Sequence, residues 1–272
     1  IRARGFLLGG TAGRTTLNGE GLQHQDGHSI VFASAIPNLI TYDVTYAYEL
    51  AVVIRDGIRR MYQEQENIFY YLTVENDPYV MLPKPDGVDE GILRGIYKLK
   101  PADSKKTKLK AHLFGSGAIT NETLKAQEIL AEKYNIAADV WSVTSYNELR
   151  RDALNAERWN LLHPEEKPRT SFISETLEGE DGVYVAASDY MKTLPDGLRQ
   201  WIPGEFISLG TDGFGRSETR EALRDFFEID ARYITVATIA ALARAGKLQL
   251  TDVAGAIKDL DIDPEKINPM IS

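Results

Sequence analysis

The sequence predicts an α/β protein made of two successive units, and three observations predict it. Short apolar and β-branched runs alternate with longer stretches whose apolar residues recur every three or four positions, as strands alternate with half-buried helices. A proline-rich break at 78–90 interrupts that alternation once. With 272 residues and 43% hydrophobic content the chain can fill one large core or two ordinary ones, and typical domain sizes favour two.

The first unit, 1–90, opens with an apolar stretch at 6–8, a polar loop at 11–29 and an apolar run ending at 38–43, read as strand, loop and strand. From Tyr46 the apolar residues Leu50, Val53, Ile54, Ile58 and Met61 fall on one face of a helix, with Arg55, Asp56, Arg59 and Arg60 on the other. The aromatic and β-branched run 68–74 has almost no polar break, which is the pattern of a parallel strand buried on both faces. The second unit, 91–272, begins with a strand at 93–99 and a basic turn at Lys105, Lys106 and Lys108. Further strands are expected at 111–117, 138–143, 182–187 and 206–209, with helices at 121–134, 146–162, 190–201, 217–227, 231–245 and 251–260. This order predicts a doubly wound sheet. No internal repeat or low-complexity tract is present.

Composition excludes several classes of function. There is no cysteine, so disulfides, thiol nucleophiles and zinc-thiolate sites are ruled out, and a reducing, cytoplasmic setting is expected. No apolar run reaches the eighteen or so residues of a membrane span. The 40 acidic against 31 basic residues give a net charge of -9, which disfavours nucleic acid as a partner. A start on Ile1 that runs at once into an apolar stretch reads as the interior of a longer polypeptide.

The densest polar, glycine-rich segment is 13–29, which holds Glu20, His24, Asp26 and His28. Histidine is the side chain suited to exchanging a proton near neutrality, which makes His24 a candidate, while Glu20 can orient it or hold charge on a cation. Residue types alone favour a plain surface loop over a substrate site. A third reading, metal binding by His24, Asp26 and His28, is weakened by Gly27 and by the lack of a nearby fourth ligand. The second glycine loop, 210–217, feeds a helix and contains Arg216, but it matches neither phosphate-loop pattern and reads as a capped helix start with Ser217 as N-cap. His112 reads as a core histidine, His163 as a helix-end residue, and Trp141, Trp159 and Trp201 as core packing. No Gly-x-Ser-x-Gly elbow occurs.

The segment 13–29 closely resembles the corresponding loop of the homodimeric pyruvate dehydrogenases that form the first component of the bacterial complex. The resemblance continues through Tyr42-Asp43, 46–49, 95–98, 142–145, 157–160, 189–192 and 210–217, and so covers essentially the whole chain. It implies the end of a thiamine-diphosphate-binding (pyrimidine) domain followed by a transketolase C-terminal-like, three-layer α/β/α domain. The implied activity is oxidative decarboxylation of pyruvate with reductive acetylation of lipoyl groups, using thiamine diphosphate and Mg2+. The implied partners are the upstream portion of the same enzyme, a second copy in a homodimer, and the dihydrolipoyl acetyltransferase core.

By the same resemblance His24 hydrogen-bonds the substrate-derived adduct, Glu20 supports it and His28 is structural. No residue here is assigned to the cofactor or to a metal. The family's Gly-Asp-Gly…Asn magnesium motif is missing, since no Asn lies between Asn160 and Asn268 to follow 179–182, and the activating glutamate is expected upstream of Ile1. The isolated chain is therefore expected to be inactive, to bind no cofactor and to leave 13–29 poorly ordered. The alternative is a separately folded interaction or dimerisation module without its own catalysis.

Overall fold

The computed structural model of the chain describes residues 2–10, 12–103 and 107–272. Ile1, the Thr11 that opens the polar loop, and Lys105 and Lys106 of the expected basic turn lie outside the described residues. In chain order the elements are β1 (Phe6–Gly10), α1 (Ser29–Ala33), β2 (Leu39–Asp43), α2 (Ala47–Ile58), β3 (Phe69–Val74), α3 (Asp89–Arg94), β4 (Tyr97–Lys100), β5 (Lys110–Gly115), α4 (Thr120–Tyr134) and β6 (Ala137–Ser142). They continue with α5 (Tyr146–Leu162), α6 (Phe172–Thr176), β7 (Val183–Ala187), α7 (Thr193–Asp196), β8 (Phe206–Leu209), α8 (Arg220–Phe226), α9 (Ala231–Arg244) and α10 (Leu250–Asp259).

The first sheet is parallel with order β1-β3-β2, and the expected doubly buried run forms its centre. On its edge strand β1 Leu7 and Leu8 are 55% and 61% exposed, while Phe6 packs against Tyr70 and α2 at Gly57. Helix α2 starts where Glu49 accepts the backbone N–H groups of Thr45 and Tyr46.

The second sheet has the order β4-β6-β5-β7-β8 and is parallel apart from β4. Helices α4 and α9 cover one face, and α5 to α7 cover the other. This is the expected three-layer arrangement. The apolar run at 93–99 is not one strand. It divides into α3 and β4 at Gly95, whose φ of 110° ends the helix in a conformation that suits glycine. The short helices α1 and α6 have too few residues to show a period in the sequence.

A single apolar cluster joins the two sheets, holding Ile40, Tyr42 and Leu72 of the first with Leu113, Val140 and Val185 of the second. The buried Glu49 carboxylate reinforces that junction by accepting the Tyr97 and Ser142 hydroxyls, each at 2.6 Å. Within the proline-rich passage Tyr79, Leu82 and Val88 pack against the same cluster. Trp141 is buried as expected, and Trp201 packs at the edge of the second cluster. Trp159 is not a core residue: it is partly exposed, stacked on His163 at 3.6 Å and covered by the Arg169 guanidinium at 3.4 Å.

Candidate functional site

The second sheet reverses its winding between β5 and β7, the place where open α/β sheets take ligands beyond the carboxyl ends of their strands. Here the chain's own loop occupies that place. Asp189, two residues past the end of β7, accepts the Thr15 amide at 2.8 Å and hydroxyl at 2.8 Å, and the Thr16 amide at 3.1 Å and hydroxyl at 2.6 Å. The Asp189 backbone carbonyl accepts the Arg14 amide and the Thr211 hydroxyl. Gly13, at φ 87°, passes so close that a β-carbon there would lie 2.5 Å from the Asp189 carboxylate, so no other residue fits.

Arg14 is buried and donates to the carbonyls of Thr211 and Gly213 and to the His28 ring. Burial pushes its pKa down, while Asp189, Asp26 and Asp212 pull it back up. The two glycine-rich segments that stand far apart in sequence thus form one unit: Gly19 N–H donates to Glu218, and Gln25 links Leu17 to the Arg216 amide. The base of 13–29 is therefore anchored by residues of this chain, which differs from the expectation of poor order. The signal was hidden because its partners lie more than 170 positions away.

Beyond this buried base the loop turns at Gly21, whose carbonyl accepts the His24 and Gln25 amides. The turn places His24 Nδ1 3.4 Å from Glu20 Oε2, with the two side chains 55% and 53% exposed. The structure thus brings together the two residues singled out in the sequence. The two side chains lie together on an exposed turn, where the imidazole has a donor and an acceptor nitrogen to offer a group outside it.

His28 belongs to the base instead. Burial and then Arg14 push its pKa below the usual histidine value, and the neutral ring accepts the Arg14 guanidinium at 3.0 Å. Asp26 is consumed by the amides of His28 and Ser29 and by the Ser29 hydroxyl. The metal reading of His24, Asp26 and His28 therefore fails, because two of its three ligands have other partners.

The second glycine loop is a platform for the first. The N-cap of α8 is Thr219, whose hydroxyl accepts the Ala222 amide, and not Ser217, which lies against Gly21. His112 is the satisfied core histidine that was expected: Trp141 donates to its Nδ1, its Nε2 reaches the Asp181 carbonyl, and burial lowers its pKa. Among the described residues the one cluster with metal-ligand spacing is His112, Asp139 and Glu180. Lys98 already supplies the cation there, 2.8 Å from Asp139 and 2.6 Å from Glu180. His163 stacks on Trp159 and donates from Nδ1 to the Trp159 carbonyl at the end of α5.

A second feature of the crevice went unread in the sequence. Asp43, at the carboxyl end of β2, and Glu75, just past β3, crowd Gly117 from one side, 2.9 and 2.5 Å from where a β-carbon there would sit. The Thr73 hydroxyl donates to Asp43 Oδ1 and the Ala118 amide donates to Glu75, yet Asp43 Oδ2 and Glu75 Oε2 are buried without a partner. Burial pushes the Asp43 carboxyl up to about 6, with Asp189 and Asp26 adding to the effect. Glu75 is pushed well above the usual range by burial and then by Asp43.

Residues 1–81 match the family described as the pyruvate dehydrogenase E1 component middle domain, and residues 95–230 match the transketolase-like C-terminal domain. The chain is 54% identical over 270 residues to the pyruvate dehydrogenase E1 component of Pseudomonas aeruginosa, covering 99% of this chain and 30% of that protein. It is 50% identical over 273 residues to that of Escherichia coli K12, covering 100% and 30%. It thus spans about a third of the length of these relatives. Transketolase from Leishmania mexicana shares the fold with a TM-score of 0.60 at 14% identity, over 86% of this chain and 30% of that one. A split-gene transketolase, described as an inactive beta4 tetramer, does so with a TM-score of 0.60 at 17% identity, over 88% and 67%. With both domain families matched in this order, the chain belongs to the transketolase-like C-terminal domain family and is similar along its whole length to about a third of the length of pyruvate dehydrogenase E1 components.

Proposed function

We propose that this chain is the part of a pyruvate dehydrogenase E1 component, dependent on thiamine diphosphate and Mg2+, that presents His24 and Glu20 to a group derived from pyruvate. The observation that carries this reading is the exposed His24–Glu20 pair at 3.4 Å, raised on a loop whose base is buried and clamped. Glu20 holds the imidazole through Nδ1, and Nε2 donates to or accepts from the reacting group.

This chain does not itself fit the cofactor. Among its described residues, the buried guanidinium of the loop is committed to carbonyl oxygens, and the one ligand cluster is filled by Lys98. The upstream portion of the enzyme is therefore assigned the diphosphate and the metal, and the isolated chain is read as inactive. The exposed Leu7 and Leu8 of β1 offer a surface for that portion. The domain division is placed at 90/91, with 1–90 ending the pyrimidine-binding domain and 91–272 forming the transketolase C-terminal-like domain. The working assembly is a cytoplasmic homodimer that passes acetyl groups to the dihydrolipoyl acetyltransferase core.

The test is made in the full-length enzyme. His24→Ala should lower pyruvate-dependent acetyl transfer on the order of a hundredfold with little change in Tm, since the lost side chain is 55% exposed. His28→Ala should keep turnover closer to the parent and lower Tm. Wild-type rates in His24→Ala would refute the reading.

A further inference from the structure

We infer that Asp189 is a positioning residue for His24, acting from the other half of the chain by fixing the base of the loop. The inference rests on the role proposed above for His24. Asp189 is 1% exposed, and all four donors on its carboxylate come from Thr15 and Thr16. An ionised carboxylate is costly to bury unless its lone pairs are satisfied, so the four donors and the acid hold one another in a single geometry. A helix cap or an exposed ion pair would leave the loop several alternative positions.

From that base the path to His24 is short and braced. Leu17 N–H returns to the Gly13 carbonyl, and Gln25, beside His24, donates to the Leu17 carbonyl at 2.8 Å while accepting the Arg216 amide at 2.8 Å. By contrast, the His24 side chain is more than half exposed, and its ion-pair partner Glu20 stands four residues back on the same exposed turn. The direction of Nε2 is thus inherited from the clamp. Misplacing a reacting group by about 1 Å can cost a hundredfold in rate, so small freedom at Thr16 becomes large loss at His24.

Asp189→Asn keeps the shape but places an amide N–H2 against two of the four donors. In the full-length enzyme this variant should lower kcat for pyruvate-dependent acetyl transfer roughly tenfold while KM for pyruvate changes much less. In a His24→Ala background it should have almost no further effect, because nothing remains to be positioned. A purely structural role would lower both backgrounds by the same factor.

Thr15→Val and Thr16→Val remove one hydroxyl each from the loop side. They should behave the same way, and they serve as the readout if Asp189→Asn does not fold. Wild-type kcat in the variants, or losses that multiply with that of His24→Ala, would overturn the positioning role alone. Full activity of His24→Ala would overturn the reading of His24 and the positioning role with it.

Discussion

Asp43→Asn should make the protein more stable at pH 8 and leave it nearly unchanged at pH 4. The carboxyl is buried, one of its oxygens has no partner, and Glu75 and Asp189 lie on its acidic side. Its pKa rises from 3.8 to about 6 on folding. Below pH 3.8 it is protonated in both states and the full stability is present. As the pH rises towards 6 the unfolded chain has released the proton and the folded chain has not, so stability falls, and above 6 the loss is complete. At about 1.4 kcal/mol per pKa unit, a displacement of this size is worth about 3 kcal/mol.

Asparagine carries no such charge. It keeps an oxygen for the Thr73 hydroxyl, now 2.6 Å from Asp43 Oδ1. It also relieves Glu75, whose pKa should fall towards the ordinary range once Asp43 is neutral. Urea unfolding of the 272-residue chain, followed by tryptophan fluorescence, gives the difference between variant and parent at each pH. A difference that stays flat from pH 4 to pH 8, or a variant less stable than the parent at pH 8, would show that the ionised pair is compensated by something else.

Three further outcomes are expected. Glu20→Gln, which keeps the shape of the side chain beside Nδ1 but removes the charge, should slow the full-length enzyme on the order of tenfold in steady-state acetyl transfer, less than His24→Ala does. Arg14→Met should lower stability by about 3 kcal/mol in denaturant titration, since it leaves the Thr211 and Gly213 carbonyls and the His28 ring without their donor. Calorimetric titration of the chain with thiamine diphosphate and Mg2+ should give no micromolar binding, and a micromolar heat signal would place cofactor ligands in residues read here as structural.

The regular elements with a strong local period were legible. The run 68–74 announced the central strand and 146–162 a long helix, because burial on two faces or on one stripe leaves its mark on residue spacing. The 93–99 run was misread because one glycine in an apolar stretch gives no sign of whether it ends a helix or sits within a strand. Ser217 and Thr219 are both competent caps, and only the turn of the chain at Gly21 chooses between them.

In the site, the pairing of Glu20 with His24 is a neighbour relation four residues apart and could be read from the loop itself. Asp189, Asp43 and Glu75 could not, since each looks like an ordinary acid at a strand end. Their meaning comes from Thr15, Gly117 and one another, brought near only by the crossover of the sheet.

The apolar cluster shared by the two sheets has a consequence for how the molecule opens. Amides of β3 and of β5 sit on the same buried mass, so neither sheet can exchange its protons with solvent through a local fluctuation that spares the other. Deuterium should enter both at one common, slow rate, set by rupture of the whole. The turn that carries His24, tied in place through Gly19, Gly21 and Gln25, should label earlier than its own base. The clamp that sets the direction of the exposed histidine therefore belongs to the part of the fold that opens last.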